Sequence, residues 1–339
     1  MKKFLWVLFL SLSMLLVGTT STSECGLISF EIKLGGGLGL LFNGGGDLEK
    51  TRLGWQTDAA DYAAGQPLYN STSFNWKKLL MTPDFRGEFI VKIGNYFGLG
   101  LGAGYQWMKS EGTVEYARDQ TNTYWWGTER FQSDDIYNHT YKISNIPIFM
   151  NFYGFLPLKG MSLYAYVGPS LNIASFSHDL TDAYFWNEDE YYPAFSQTWY
   201  DHYKDDYSVK EAANTTRIGF QGGLGLEILL SRNFALGIEV YGRYVNLANW
   251  TGTYDETGDW SEEWYYTPWG VFDTDGDHYT HHESGTLWGW TWHNTTYGHD
   301  YDYIEIMNSE PNWPGVLNVH PAEINFNAVG FLFNVIIHF

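Results

Sequence analysis

Eight stretches of this chain alternate apolar residues with polar ones or glycine, and one face of every stretch is free of charge. A strand sends successive side chains to opposite faces, so a period of two describes a strand with one apolar face. The first stretch places Ile28, Phe30, Ile32, Leu34, Leu38, Leu40 and Phe42 on one side, with Ser29, Glu31, Lys33 and glycines on the other. The other seven centre on Phe89, Leu101, Ile148, Val167, Leu224, Ile238 and Val335. The last runs Phe331, Phe333, Val335, Ile337, Phe339 to the final residue. Each is about as long as a tilted membrane strand, roughly 9–11 residues.

No stretch after Val17 approaches the ~20 continuous apolar residues of a membrane helix. A chain of this kind crosses a bilayer only as a closed barrel, because hydrocarbon leaves no partner for an unpaired backbone group. A charge on an outward face would cost ~2–4 kcal/mol at mid-bilayer, which gives the charge-free faces a physical reason. Aromatics make up 19% of the chain. The outward ones fall into two rows, Phe30, Phe97, Phe234 and Phe339 below and Phe42, Phe85, Trp107 and Tyr244 above, as interfacial girdles do. The N-terminus reads as an export signal over residues 1–24: Lys2 and Lys3, an apolar run to Val17, then small residues. Glu24, directly before Cys25, speaks against a lipoprotein. The single cysteine cannot form an internal disulfide. The net charge of −20 speaks against nucleic acid as a partner.

Connections alternate short and long. Gly94–Tyr96, Leu156–Gly160 and Ser231–Asn233 read as tight turns, whereas residues 43–83, 109–140, 175–213 and 248–321 read as long external loops. With its signal, eight alternating segments, a Tyr-Val-Gly-Pro start at Tyr166–Pro169 and the closing Phe339, the chain resembles the OmpA-like, opacity-type family of eight-stranded outer-membrane barrels. The resemblance implies an all-β, transmembrane, antiparallel up-and-down barrel over residues 25–339, in a bacterial outer membrane, with its loops extracellular. It implies outer-membrane lipid and lipopolysaccharide as surroundings. It also implies assembly machinery that reads the row Phe339, Ile337, Val335. No periplasmic peptidoglycan-binding domain is expected, so wall tethering is not carried over. The expected role is structural or adhesin-like, through a glycan or protein ligand, with no cofactor and no enzymatic activity. The alternative is a small porin-like channel.

The inward charges are Glu31, Lys33, Arg86, Glu88, Lys92, Arg217, Glu227, Glu239 and Arg243. An eight-stranded barrel is just wide enough to be filled by its own side chains. These residues therefore read as a paired network plugging the lumen, or alternatively as a narrow ion path. No Lys or Arg follows Arg243, while residues 248–321 carry thirteen acids and the tryptophans Trp260, Trp264, Trp269, Trp288, Trp290 and Trp292. A structureless loop of that length is unusual, so β-hairpins are expected there. The tryptophans would form a mini-core under the loop or a stacking platform for a surface ligand. Asp273, Asp275 and Asp277 resemble half of a calcium loop, but the Gly spacing and distal Glu of an EF-hand are missing, so they read as an acidic turn. The adjacent pair His178 and Asp179 is the one arrangement resembling acid–base machinery.

Overall fold

The computed structural model describes residues 28–65, 71–267 and 271–339. The expected signal, Cys25 and Trp269 lie outside them. The structure is all-β with one long helix, α1 (Asp47–Gly65). Eight long strands form its frame: β1 (Ile28–Leu41), β3 (Met81–Ile93), β4 (Phe97–Tyr124), β5 (Gly127–Leu158), β6 (Met161–Tyr192), β7 (Gln197–Ser231), β8 (Phe234–Tyr244) and β15 (Ala328–His338). Every pairing is antiparallel. β1 pairs with β3 and β15, β4 with β3 and β5, β6 with β5 and β7, and β8 with β7 and β15. Each of the eight therefore holds two neighbours.

Burial follows the period of two. Leu34, Leu38, Phe85, Leu101, Ile148, Val167, Leu224, Ile238 and Phe333 are exposed, while Glu31, Lys33, Glu88, Asn151, Gln221, Glu239 and Asn334 are buried. Polar groups thus lie inside and apolar ones outside, the reverse of a water-soluble sheet. Two close approaches explain why glycine punctuates these strands. A Cβ on Gly37 would lie 1.8 Å from the Phe331 carbonyl oxygen, and one on Gly168 would lie 1.9 Å from that of Met150.

The turns at one end are short, at Gly94–Tyr96, Lys159–Gly160 and Arg232–Asn233. At the far end four strands run on well past the apolar band. β4 and β5 pair without a break from Phe97/Gly154 to Tyr124/Gly127, and β6 and β7 from Met161/Ile228 to Tyr192/Gln197, apart from short irregularities. At ~3.3 Å per residue, the 32 residues of β5 span about 100 Å. Residues 109–140 and 175–213, read above as loops, are therefore continuations of the strands. The outer face there turns polar, which hides the alternation from hydropathy.

The rest of the chain builds onto this far end. β2 (Ser71–Trp76) pairs with β4, and β10 (Thr251–Tyr266) with β7. β11 (Val271–Asn294) pairs with β10, then with β12 (His299–Met307) and β13 (Val316–Pro321). Residues 248–321 thus do form β-hairpins, as expected. The short β9 (Asn246–Leu247) and β14 (Ile324–Asn325) pair with each other. Helix α1 lies against β12, β2 and β4, so it bridges the two margins of the far-end sheet. Gly46 turns into it at φ +74°, and the Asp47 carboxylate at its first turn accepts the Glu323 amide at 2.7 Å. A Cβ on Gly54 would lie 2.7 Å from the Asp302 backbone, so only glycine lets the helix sit this close. Its apolar stripe, Leu48, Trp55, Ala59 and Tyr62, recurs at helical spacing and packs into the interior.

Candidate functional site

The interior is layered. Nearest the short turns, Lys92 pairs with Glu31 and stands 3.9 Å from Glu227. His338 joins both acids at 2.8 Å. One level up, Lys33 pairs with Glu239 at 3.1 Å and Glu88 at 3.3 Å. It also donates to the Tyr153 hydroxyl at 2.6 Å and sits over the rings of Tyr153, Tyr164 and Tyr166. Tyr166 and Tyr164 donate to Glu239 at 2.6 and 3.0 Å, and Asn151 donates to Glu88 at 2.9 Å. In the third layer Asp84 takes both Arg86 and Arg243 at 2.8 Å, and Gln106, Asn145 and Asn172 continue as a chain of amides. Each charge in these three layers faces its opposite, which offsets the cost of burial.

Eight of the nine inward charges named from the sequence belong to these layers. Arg217 does not; its Nε donates to the Ala248 carbonyl at 3.0 Å. Two members escaped the sequence reading, Asp84 and His338. Asp84 shares its parity with Arg86 and Glu88, which is the signal that locates it. Above the third layer the interior becomes apolar. Met108, Ile143, Phe176, Trp250, Ile324 and Phe326 form one buried cluster, which continues to Leu48 of α1.

Beyond that cluster lies a cavity of about 220 Å³. His178 and Asp179 do not act together there: Asp179 points outward and pairs with Lys142 at 3.2 Å. Adjacent residues of a strand face opposite sides. The partners of His178 come instead from neighbouring strands. Its Nδ1 lies 2.7 Å from Glu211 Oε2, and its Nε2 lies 3.2 Å from His139 Nδ1. Glu211 Oε1 already accepts the Ile306 amide at 2.6 Å, so this carboxylate is an acceptor at both oxygens. The Nε2 of His139 is buried and has no hydrogen-bond partner among the described residues. Burial, and secondarily His178, holds His139 well below the usual imidazole range, so it is neutral. Glu305, also lining the cavity, is pushed up to about 8 by burial and then by Glu211, Glu283 and Glu256. Farther out, Asp182 is pushed up to about 8 by burial and by Asp135.

Five of the six tryptophans singled out in residues 248–321 lie among the described residues, and they are packed in, not displayed; Trp313, in the same segment, is 42% exposed. Trp260, Trp264, Trp288, Trp290 and Trp292 are all partly buried. Trp290 stacks on Tyr303 at 4.8 Å and meets Trp313 at 5.2 Å, Trp292 packs on Tyr301, and Trp260 on Tyr203. The most exposed tryptophan lies elsewhere, at the tip of one of the two longest hairpins. Trp125 is 91% exposed, and Phe195, at the tip of the other hairpin, 67%; Tyr124 and Trp126 stack on each other, and Trp126 meets Trp125 edge-on. The signal for this site is the run Tyr124-Trp125-Trp126-Gly127, since two indoles at a turn find no core. Asp273, Asp275 and Asp277 are exposed along β11 and do not gather into a cage. Each accepts the backbone amide of the following residue, at 3.0, 2.8 and 2.8 Å. The acidic turn is thus an exposed strand.

No family model matches the chain, and no curated protein matches it. Among solved structures, the siderophore receptor PirA from Pseudomonas aeruginosa aligns over 94% of this chain and 81% of its own, at 10% identity and a TM-score of 0.09. A similarity at that level carries no argument about fold or function.

Proposed function

We propose that the eight mutually paired strands form a closed transmembrane barrel of the OmpA-like, outer-membrane type. On this reading the barrel anchors a rigid external β-structure whose role is contact with other molecules at the cell surface. The exposed apolar band and the polar interior support the barrel. Hydrocarbon is ~30 Å thick, so a strand of about 100 Å projects far beyond it even when tilted.

The observation that carries the surface role is the placement of the exposed aromatics. Trp125 and Phe195 stand at the tips of the longest hairpins, where neither a core nor a membrane girdle needs them. Exposed apolar rings at a fixed position mark contact sites. The porin-like alternative draws no support from the interior, where three layers of paired charge are capped by an apolar cluster.

The test uses the purified, detergent-folded chain on arrays of glycans and extracellular-matrix proteins, beside Trp125→Ala/Phe195→Ala. A ligand bound by the wild type and lost by at least tenfold in the variant supports the reading. Equal binding by both, or stepwise ion conductance in planar bilayers, overturns it.

A further inference from the structure

We propose that Asp273, Asp275 and Asp277 hold the open edge of β11 closed to strand addition, so that a second copy of this chain does not pair with it. The inference does not depend on what the aromatic hairpin tips contact. From Asp273 to Ser284, β11 pairs with β10 on one side, and among the described residues no strand pairs with it on the other. β12 joins that side only from Thr286 onward. An open edge of this length is a ready template for another strand.

The ladder fixes which groups face outward. Leu287 donates its amide to the Trp250 carbonyl at 3.2 Å. From there the register runs one for one, from Thr286 opposite Thr251 to Val271 opposite Tyr266, without a shift. In an antiparallel pair alternate residues exchange both hydrogen bonds with the partner strand, and the residues between them point the other way. The odd-numbered residues of β11 therefore bond to β10. Thr274, Gly276, His278, Thr280 and His282 turn their N–H and C=O groups to the open side.

Three of those five amides are already taken. Thr274, Gly276 and His278 donate to Oδ1 of Asp273, Asp275 and Asp277, at 3.0, 2.8 and 2.8 Å. Every amide capped in this way lies on the open side, because the spacing of the aspartates is the spacing of the outward amides. An incoming strand would have to displace three charge-assisted hydrogen bonds and set its own carbonyl oxygens against three carboxylates. The acceptor oxygen is what closes the edge. Alanine at these positions offers none, whereas asparagine keeps the oxygen and loses the charge.

The experiment compares the full chain, folded in detergent, with Asp273→Ala/Asp275→Ala/Asp277→Ala and with the triple variant carrying Asn at the same positions. Self-association is read by sedimentation equilibrium at micromolar concentration, and the heat-dependent gel shift confirms folding. The Ala triple should associate at least tenfold more tightly than the wild type, and the Asn triple no more tightly than the wild type. Adding His278→Pro to the Ala triple removes an outward amide and should return association to the wild-type level. Where the Ala triple loses the gel shift, Asp275→Ala alone carries the same comparison. The proposal is overturned if the Ala variant associates no more than the wild type. It is equally overturned if the Asn triple associates as the Ala triple does, since charge alone would then be the guard, or if His278→Pro leaves the association unchanged, since another surface would then carry it.

Discussion

Lys33→Met is the sharpest probe of the interior. The lysine stands between two acids that are almost fully buried, Glu88 at 5% exposure and Glu239 at 1%. Methionine keeps most of the volume and the apolar stem. It removes the one cation within 3.3 Å of both carboxylates and the contact with three tyrosine rings. Breaking a buried pair from one side costs ~3–5 kcal/mol, because the partner stays behind as an uncompensated charge. Here two partners stay behind. Each keeps neutral donors, however: Tyr164 and Tyr166 for Glu239, Asn151 and Tyr153 for Glu88. The loss is therefore expected near the lower bound, ~3 kcal/mol. The assay is urea unfolding in lipid vesicles, followed by the heat-dependent shift in gel mobility. Lys33→Met/Glu239→Gln should recover about half of the loss, since one of the two stranded charges is gone. A midpoint for Lys33→Met equal to that of the wild type would refute the view that the layer is held by charge pairing. A double variant less stable than the single would refute the assignment of Glu239 as the stranded partner.

Leu101 is 63% exposed in the middle of the apolar band, so Leu101→Arg should cost ~2–4 kcal/mol in vesicles, read from the same urea midpoint, and little in a water-facing position. Phe339 donates its amide to the Phe30 carbonyl at 2.9 Å and closes the outer row of β15; deleting it should lower the heat-modifiable form in outer-membrane fractions, and unchanged levels would count against the assembly role. A Cβ on Gly252 would lie 1.9 Å from the Ala212 carbonyl oxygen, so Gly252→Val should part β10 from β7 and expose residues 251–307 to protease while leaving the gel shift intact. Glu305 and Asp182 both have folded-state values near 8, above their unfolded ones of 4.5 and 3.8. Their contribution is fully present below pH ~4 and is lost as pH rises through 8, at about 1.4 kcal/mol per unit of difference at most. The far-end structure should therefore resist protease better at pH 5.5 than at pH 9, and Glu305→Gln should flatten that dependence; an opposite trend would contradict the raised values.

The strands of the apolar band were legible in the sequence because their two faces differ sharply in polarity. Phe85, Leu101, Val167 and Phe333 on one parity, with Glu88, Asn151 and Glu239 on the other, leave a strand as the only consistent reading. The same strands were lost above the band because that contrast ends there. Along β5 the inward row continues as Asn145, Ile143, Tyr141, His139, Tyr137 and Asp135, while the outward row becomes Ser144, Lys142, Thr140 and Asn138. Both rows now contain polar residues, so hydropathy has no period to report, although the parity is unbroken. Helix α1 was hidden for a different reason. Its buried stripe of Leu48, Trp55, Ala59 and Tyr62 is interrupted on the same face by Thr51, Arg52 and Asp58, so the segment shows almost no helical period in hydropathy.

The cavity group was beyond any local reading. His178 lies 39 residues from His139 and 33 from Glu211, and only the pairing of β5, β6 and β7 brings the three to one level. The adjacent Asp179, which proximity in sequence suggested as the partner, is the one neighbour that strand geometry forbids. The same rule separates the two kinds of site in this molecule. Surface rings such as Trp125 can be found from a turn signal alone. An interior group must be assembled by continuing each strand's parity upward from the apolar band, then asking which inward residues the register sets side by side. Along β4, β5, β6 and β7 the inward residues pass in this way from paired ions through an apolar cluster to an acidic, aromatic space. The order has a physical sense. Below the apolar cluster each buried acid has a cation beside it, whereas above it the carboxyl groups of Glu211, Glu256 and Glu305 share one space with no Lys or Arg.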